Sequence, residues 1–217
     1  MMIAKRALFL WGGYEPHQPR ETSELFASLL RERGHHVEVT ADPDVLVDAD
    51  RLAATDLIVV CVTMGEITDA QERGLLEAVR AGTGLGGWHG GLGDAFRARG
   101  EFQFAVGGQF VAHPGNIIDY TVHIEKPDDP IAAGISDFAM HSEQYYMHVD
   151  PASDVLATTT FSGEHAPWIA GIVMPVAWTK RYGAGKVFYC SLGHTVADFE
   201  TPKARAIVER GLVWAMR

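Results

Sequence analysis

The chain has 217 residues, 47% of them hydrophobic and 21% charged, which is enough apolar material for a buried core and rules out a disordered chain. A formal net charge of −10 repels a phosphate backbone and sets nucleic acid aside as a partner. The longest strongly apolar stretch, residues 57–62, is far too short to span a bilayer, so no membrane association is expected. Residues 1–10 place Lys5 and Arg6 directly before Leu8, Phe9 and Leu10, without the long apolar core or cleavage site of a secretory leader. The cytoplasm is the expected compartment. Cys61 and Cys190 each sit in an apolar run and are expected as reduced, buried thiols.

Strand and helix signals alternate through the first half. Residues 6–11 form a short apolar run that ends in Gly12-Gly13, a buried strand and a turn. Thr22, Leu25, Phe26, Leu29 and Leu30 recur at helical spacing, and Arg31, Arg33 and Gly34 close that helix. Strands are predicted at 37–40 and 57–62. Thr68 and Gln71 make a capping-box pair that opens a helix over 68–80. Residues 84–88 form a fourth strand, leading into a glycine-rich bend. This βαβ rhythm predicts a mostly parallel sheet with helices on both faces, and ligands in such sheets sit at the carboxyl ends of the strands. The second half has fewer helices, with strands predicted at 117–125 and 154–161. Two more, at 174–180 and 186–191, flank the hairpin signal Tyr182-Gly-Ala-Gly185. Thr201-Pro202 opens a final helix. No linker, repeat or low-complexity segment interrupts 1–217, and one domain is expected.

The residues suited to chemistry cluster at the predicted strand ends. In Gly87-Trp88-His89-Gly90-Gly91, small residues around a central one allow a tight strand-to-helix elbow that projects the middle side chain above the sheet. That side chain is His89, expected to be exposed and so to contribute little packing. Imidazole there suits metal ligation or general-base work. His194 follows the strand at 186–191, His17 lies in the loop after the first strand, and His113 stands in a loop pinned by Pro114. His141, Glu143 and Tyr145 share one face if residues 140–146 are extended, which would set a carboxylate beside an imidazole. Tyr14 and Trp88 flank loop ends and are candidates for sugar contact. His35 and His36, at a helix-to-strand turn, read as structural. The chain has no zinc-finger spacing, no His-Glu-x-x-His helix, no Walker sequence and no dinucleotide fingerprint, so a metal site would be assembled from separate loops, and no nucleotide cofactor is expected.

Together, Trp11-Gly-Gly, Gly86-Gly-Trp-His-Gly-Gly91, Gly107-Gly-Gln-Phe with His113-Pro114, Glu143-Gln-Tyr-Tyr146, and the segments from Pro175 to Gly193-His194 resemble the ThuA-like, or trehalose-utilisation, family over nearly the whole chain. The resemblance implies a flavodoxin-like three-layer α/β sandwich with the class I glutamine amidotransferase-like fold. In those amidotransferases the elbow reads Gly-x-Cys-x-Gly; here His89 takes the cysteine position. His194 falls near their histidine, with Val196 where a glutamate follows. The resemblance thus implies carbohydrate catabolism and not glutamine hydrolysis.

The expectation is an enzyme acting on a small-molecule sugar, a disaccharide or an oxidised keto derivative, as a hydrolase, lyase or isomerase. His89, His194 and Glu143 are expected to carry the chemistry. Tyr14, His17, Trp88, His113 and Tyr145 are expected to contact substrate. His17, His89, His113 and His194 are expected to ligate a divalent metal, zinc first. The alternative is a non-catalytic sugar-binding or regulatory protein that kept the fold. A homodimer is the default oligomer. His89 and His194 are expected to meet across the top of the sheet, with the βαβ half as floor and residues 110–146 as wall.

Overall fold

The structure, a computed structural model, describes residues 4–217; the first three residues of the 1–10 stretch lie outside the described residues. The first half contains β1 (Arg6–Gly13), α1 (Pro19–Glu32), β2 (His36–Thr40), α2 (Ala49–Ala53), β3 (Leu57–Thr63), α3 (Asp69–Arg80), β4 (Gly84–Trp88), α4 (His89–Gly93) and α5 (Gly100–Val106). The second contains β5 (Gly108–Ala112), β6 (Ile117–Ile124), β7 (Phe138–Glu143), β8 (Tyr146–Val149), β9 (Asp154–Thr160), β10 (Val173–Tyr182), β11 (Gly185–Cys190) and α6 (Pro202–Ala215).

Side chains of the first strands alternate between two cores. Ala7 and Phe9 of β1 enter one and Leu8 and Leu10 the other; Leu57 and Val59 of β3 part from Ile58 and Val60 in the same way. A strand buried on both faces needs a cover on each. α1 and α6 cover one side with Phe26, Leu30, Ile207 and Leu212. α3 and α5 cover the other with Leu75, Val79, Phe102 and Val106. The result is the expected three-layer α/β sandwich. Thr68 caps α3, and its capping box with Gln71 is complete. Among the described residues no helix is long and apolar enough to cross a membrane.

Nine strands form one sheet in the order β2-β1-β3-β4-β11-β10-β9-β6-β7. The run from β2 to β11 is parallel and the remaining neighbours are antiparallel, so seven of the nine strands point one way and β10 and β6 oppose them. The carboxyl ends of β1, β3, β4, β11 and β7 therefore lie on one edge. In a flat sheet β7 would stand five strands, about 24 Å, from β4. Yet Glu143 Oε2, at the end of β7, lies 3.1 Å from His89 Nε2, at the end of β4. The bend has a visible origin in β10, whose register shifts between Pro175 and Ala177 and again between Ala177 and Trp178. Proline has no N–H for the ladder, and bulges bend a strand and deepen its twist. The antiparallel half thus curls back over the carboxyl edge of the parallel half. β5 and β8 pair as a separate ribbon that the sequence did not signal.

The elbow between β4 and α4 depends on glycine. A Cβ on Gly87 would stand 2.6 Å from both the Val60 carbonyl oxygen and Leu92 Cβ. Gly87→Ala is expected to cost about 1–3 kcal/mol by urea unfolding, as overpacked cores do. An unchanged midpoint would show that β4 and α4 separate freely.

Candidate active site: a histidine and carboxylate centre on the carboxyl edge

His89 opens α4 with a left-handed φ of 48°. Behind it, a Cβ on Gly90 would come within 3.0 Å of His17 Cε1, and one on Gly91 within 2.9 Å of Cys61 Cα. The glycines let α4 settle against β3 and leave room for the second imidazole. His17 ends a short 3-10 turn after β1, and its Nδ1 lies 3.0 Å from Thr63 Oγ1 at the tip of β3. His194 follows β11, its backbone N–H donating to Asp198 Oδ2 at 2.8 Å. The same oxygen accepts from Ser142 Oγ at 2.5 Å, which ties the end of β7 to the His194 loop. The ring centroids of His17, His89 and His194 lie 4.7–5.4 Å apart.

Glu143 closes the group. Its Oε2 is 3.1 Å from His89 Nε2 and 3.4 Å from His194 Nδ1, and its Oε1 is 3.7 Å from His113 Nε2. One donor atom from each of His17, His89, Glu143 and His194 lies within 4.8 Å of the others. His89 Nδ1 is 2.9 Å from the Ser191 carbonyl, which can only accept, so Nδ1 carries the proton and, in the neutral ring, Nε2 bears the lone pair. Tyr145, stacked on the His89 ring, donates its hydroxyl to that nitrogen at 2.7 Å. His194 Nδ1 is buried and has no well-aligned hydrogen bond.

The charges follow from these surroundings. Burial, reinforced by His89 and His194, lowers the His17 pKa to about 3, so this ring is neutral at any physiological pH. Burial works against ionisation of Glu143, but the contact of His194, joined by that of His89 when Nε2 carries a proton, outweighs it and holds the carboxyl well below the usual range. Glu143 in turn raises the His194 pKa against the effect of burial. Burial, with Tyr189 and Glu143 close by, keeps the Tyr145 phenol protonated.

The expected convergence of His89 and His194 is therefore present, with His17 and Glu143 in the same group. Several other placements differ from expectation. Trp88 is 1% exposed and packs between Phe26 and Phe199 beneath the edge, out of reach of a ligand, because strand alternation turns it inward. His113, next to the end of β5, approaches only Glu143 and stands outside the four-residue group, stacked on Phe110. His141 does not pair with Glu143: it is exposed and bonds Asp119 Oδ1 at 2.7 Å, while the alternation of β7 breaks at its last residue and turns Glu143 inward. His89 is 1% exposed, where the elbow led us to expect an open side chain. Tyr14 stands at the rim, edge-on to His17 at 5.0 Å.

The family model described as "Trehalose utilisation" matches residues 6–215. The chain belongs to the trehalose-utilisation (ThuA) family. The fold agrees. A ThuA-like protein from Bacteroides uniformis has a TM-score of 0.81 at 16% identity, over 99% of this chain and 93% of its own. One from Parabacteroides merdae has a TM-score of 0.77 at 18% identity, over 98% and 90%. A Salmonella typhimurium LT2 protein described as cytoplasmic has a TM-score of 0.69 at 12% identity, over 98% and 100%. Among curated proteins none matches.

Four supporting residues of this ThuA chain escaped the sequence reading: Thr63, Ser191, Asp198 and Tyr189, whose hydroxyl donates to the His89 carbonyl at 3.1 Å. Thr63 carries a weak signal, a hydroxyl at the end of an apolar strand, whereas Ser191 acts through its main-chain carbonyl, which any residue supplies. Asp198 and Tyr189 carry none.

The pairing of Glu143 with His194 has a pH signature. A depressed carboxyl stabilises the fold above its unfolded pKa and loses that contribution as pH falls; a raised imidazole stabilises below its unfolded pKa and loses it as pH rises. Both contribute fully between the ordinary values of 4.5 and 6.5. Glu143→Gln should therefore destabilise the metal-free ThuA chain most within that window, and the His194 imidazole resonances should titrate at lower pH in the variant. Unchanged His194 titration would show that the pair is not coupled.

Proposed function

We propose that the protein is a sugar-active enzyme whose centre of His17, His89, Glu143 and His194 takes a divalent metal ion, zinc first among candidates. The observation that carries this reading is a meeting of lone pairs. The His89 tautomer directs Nε2, whose lone pair Tyr145 occupies until an ion displaces its proton, towards an ionised Glu143 oxygen 3.1 Å away, beside the unpartnered Nδ1 of His194 and a His17 held neutral. When the His194 proton is absent, acceptors face one another in a buried site, and a cation between them would satisfy them. A tetrahedral ion with ligands at about 2.0–2.1 Å sets its donors roughly 3.4 Å apart, near the 3.1 and 3.4 Å that separate Glu143 Oε2 from His89 and His194. The Thr63 and Ser191 contacts to the far nitrogens of His17 and His89 are the outer shell such rings require.

When bound, the ion supplies Lewis-acid polarisation of a carbonyl or hydroxyl oxygen. The remaining work belongs to the chain's own groups. Glu143 balances positive charge and orients two rings. Tyr145 holds a proton on the His89 side. His113, a third exposed and with Nε2 3.7 Å from Glu143 Oε1, would move a proton between that side of the centre and the substrate. Tyr14 offers a ring face at the rim. The step is proton transfer beside a polarised oxygen of a sugar or a keto sugar derivative, and the trehalose-utilisation family supports the substrate class. Glutamine hydrolysis has no nucleophile in this reading: Cys61 and Cys190 lie inside strands, and burial pushes their thiols up to about 11 and 12. We place the protein in the cytoplasm, in keeping with these free thiols and the Salmonella neighbour.

Elemental analysis of the purified protein should find one divalent ion per chain, with Zn²⁺ raising the melting temperature of chelator-stripped protein. His89→Ala should lose the ion and reduce turnover of the true sugar substrate by about 10²–10⁴-fold. It should also cost about 1–3 kcal/mol of stability, because it strands the Ser191 carbonyl and the Tyr145 hydroxyl. Absence of both ion and Zn²⁺ stabilisation sinks the metal; full turnover by His89→Ala sinks the catalytic assignment.

A further inference from the structure

Tyr145 is locked in place beside the centre. Its ring is 3% exposed and clamped between His89, stacked at 4.1 Å, and Phe110, tilted at 4.4 Å. The residue before it is pinned as well, because the buried Gln144 amide donates to Thr159 Oγ1 at 2.7 Å and to the Thr160 carbonyl at 3.3 Å. The ring therefore has nowhere to swing. What remains free is rotation of the hydroxyl hydrogen about its own C–O bond.

That hydrogen lies where two acceptors meet. The Ser191 carbonyl keeps the His89 proton on Nδ1, so the lone pair of Nε2 faces Glu143 Oε2 across 3.1 Å. Two acceptors at that distance in a buried site repel each other and go unsatisfied. The Tyr145 hydroxyl, 2.7 Å from Nε2, supplies a hydrogen to the gap, and Glu143 is the other acceptor beside it. The empty centre is thus satisfied by a proton at the point where the loaded centre would be satisfied by an ion. An ion that takes the Nε2 lone pair must displace this hydrogen. With the ring clamped, the hydrogen can only turn aside, towards a carboxylate whose charge the ion already shares, so the lost bond is only partly replaced.

We propose that the Tyr145 hydroxyl is a built-in plug, a competitor that satisfies the empty centre and sets the affinity a divalent ion must exceed to enter it, an inference that rests on the metal reading of that centre. Calorimetric titration of chelator-stripped protein with Zn²⁺ tests it. Tyr145→Phe keeps the ring and its stacking and removes only the competitor. It is expected to bind Zn²⁺ about two- to tenfold more tightly than the unaltered protein, the worth of one hydrogen bond. The stripped variant should also unfold at a lower urea concentration, and zinc loading should close that gap, since the bond is missing from both loaded forms. In the stripped variant the His89 Nε2 nitrogen resonance should move towards that of an unbonded lone pair. Tyr189→Phe, which removes a buried hydroxyl from the His89 carbonyl and not from its ring, should gain less affinity. If the unaltered protein takes up no Zn²⁺, the metal reading of the centre fails and the plug with it. If it binds Zn²⁺ but Tyr145→Phe binds no more tightly, the plug alone is wrong. It is equally wrong if Tyr189→Phe gains as much, since the effect is then a general loosening around His89, or if the Nε2 resonance stays where it was.

Discussion

The Ser191 carbonyl accepts from His89 Nδ1 across the join between β11 and β4, and the rest of the centre is arranged around that bond. It settles the tautomer and turns the ring so that Nε2 looks outward over the carboxyl edge. The same peptide is anchored on its other side, where Ser191 N–H donates to the Val176 carbonyl at 2.7 Å, within the irregular stretch of β10. One residue thus couples the orientation of the imidazole to the bulge that bends the sheet. Moving the bulge would rotate the Ser191 peptide and take the ring with it.

The bend has a second consequence. A parallel sheet gathers loop residues from adjacent strands without special provision, which accounts for His17, His89 and His194. Glu143 arrives by a different route, from the far margin of the sheet, and is pinned by the Ser142–Asp198 bond to the loop beside His194. The centre is therefore formed by two parts of the fold that meet only when the antiparallel half has closed over the parallel half. The charge pattern reinforces the closure, because a depressed Glu143 and a raised His194 attract each other across that seam.

What the sequence made legible was local. The capping box at Thr68, the doubly buried run of β3, the hairpin at Gly183 and the glycine elbow all depend on neighbours a few residues away, and all are present. The three histidines at strand ends followed from one rule about parallel sheets. What depended on long-range geometry was not legible. Alternation placed Glu143 beside His141, but the strand ends there and the side chain turns inward. Trp88 was close to the elbow in sequence but on the wrong side of the sheet. The β5–β8 ribbon was missed because its residues carry no clean alternation and one strand is only four residues long.

The elbow has a consequence for what the scaffold can become. Around position 89 every neighbour is fixed by contact: Gly87 by Val60 and Leu92, Gly90 by His17, Gly91 by Cys61. Position 89 itself is constrained in shape by its left-handed backbone, which disfavours β-branched side chains, and in chemistry by the Ser191 carbonyl and Tyr145 hydroxyl that bond its ring. It behaves as a socket cut for an imidazole, since a shorter side chain would leave the Ser191 carbonyl and the Tyr145 hydroxyl without their partner. A new chemistry at this position would therefore need matching changes at Ser191 and Tyr145, whereas any change in the glycines around it would dismantle the holder itself.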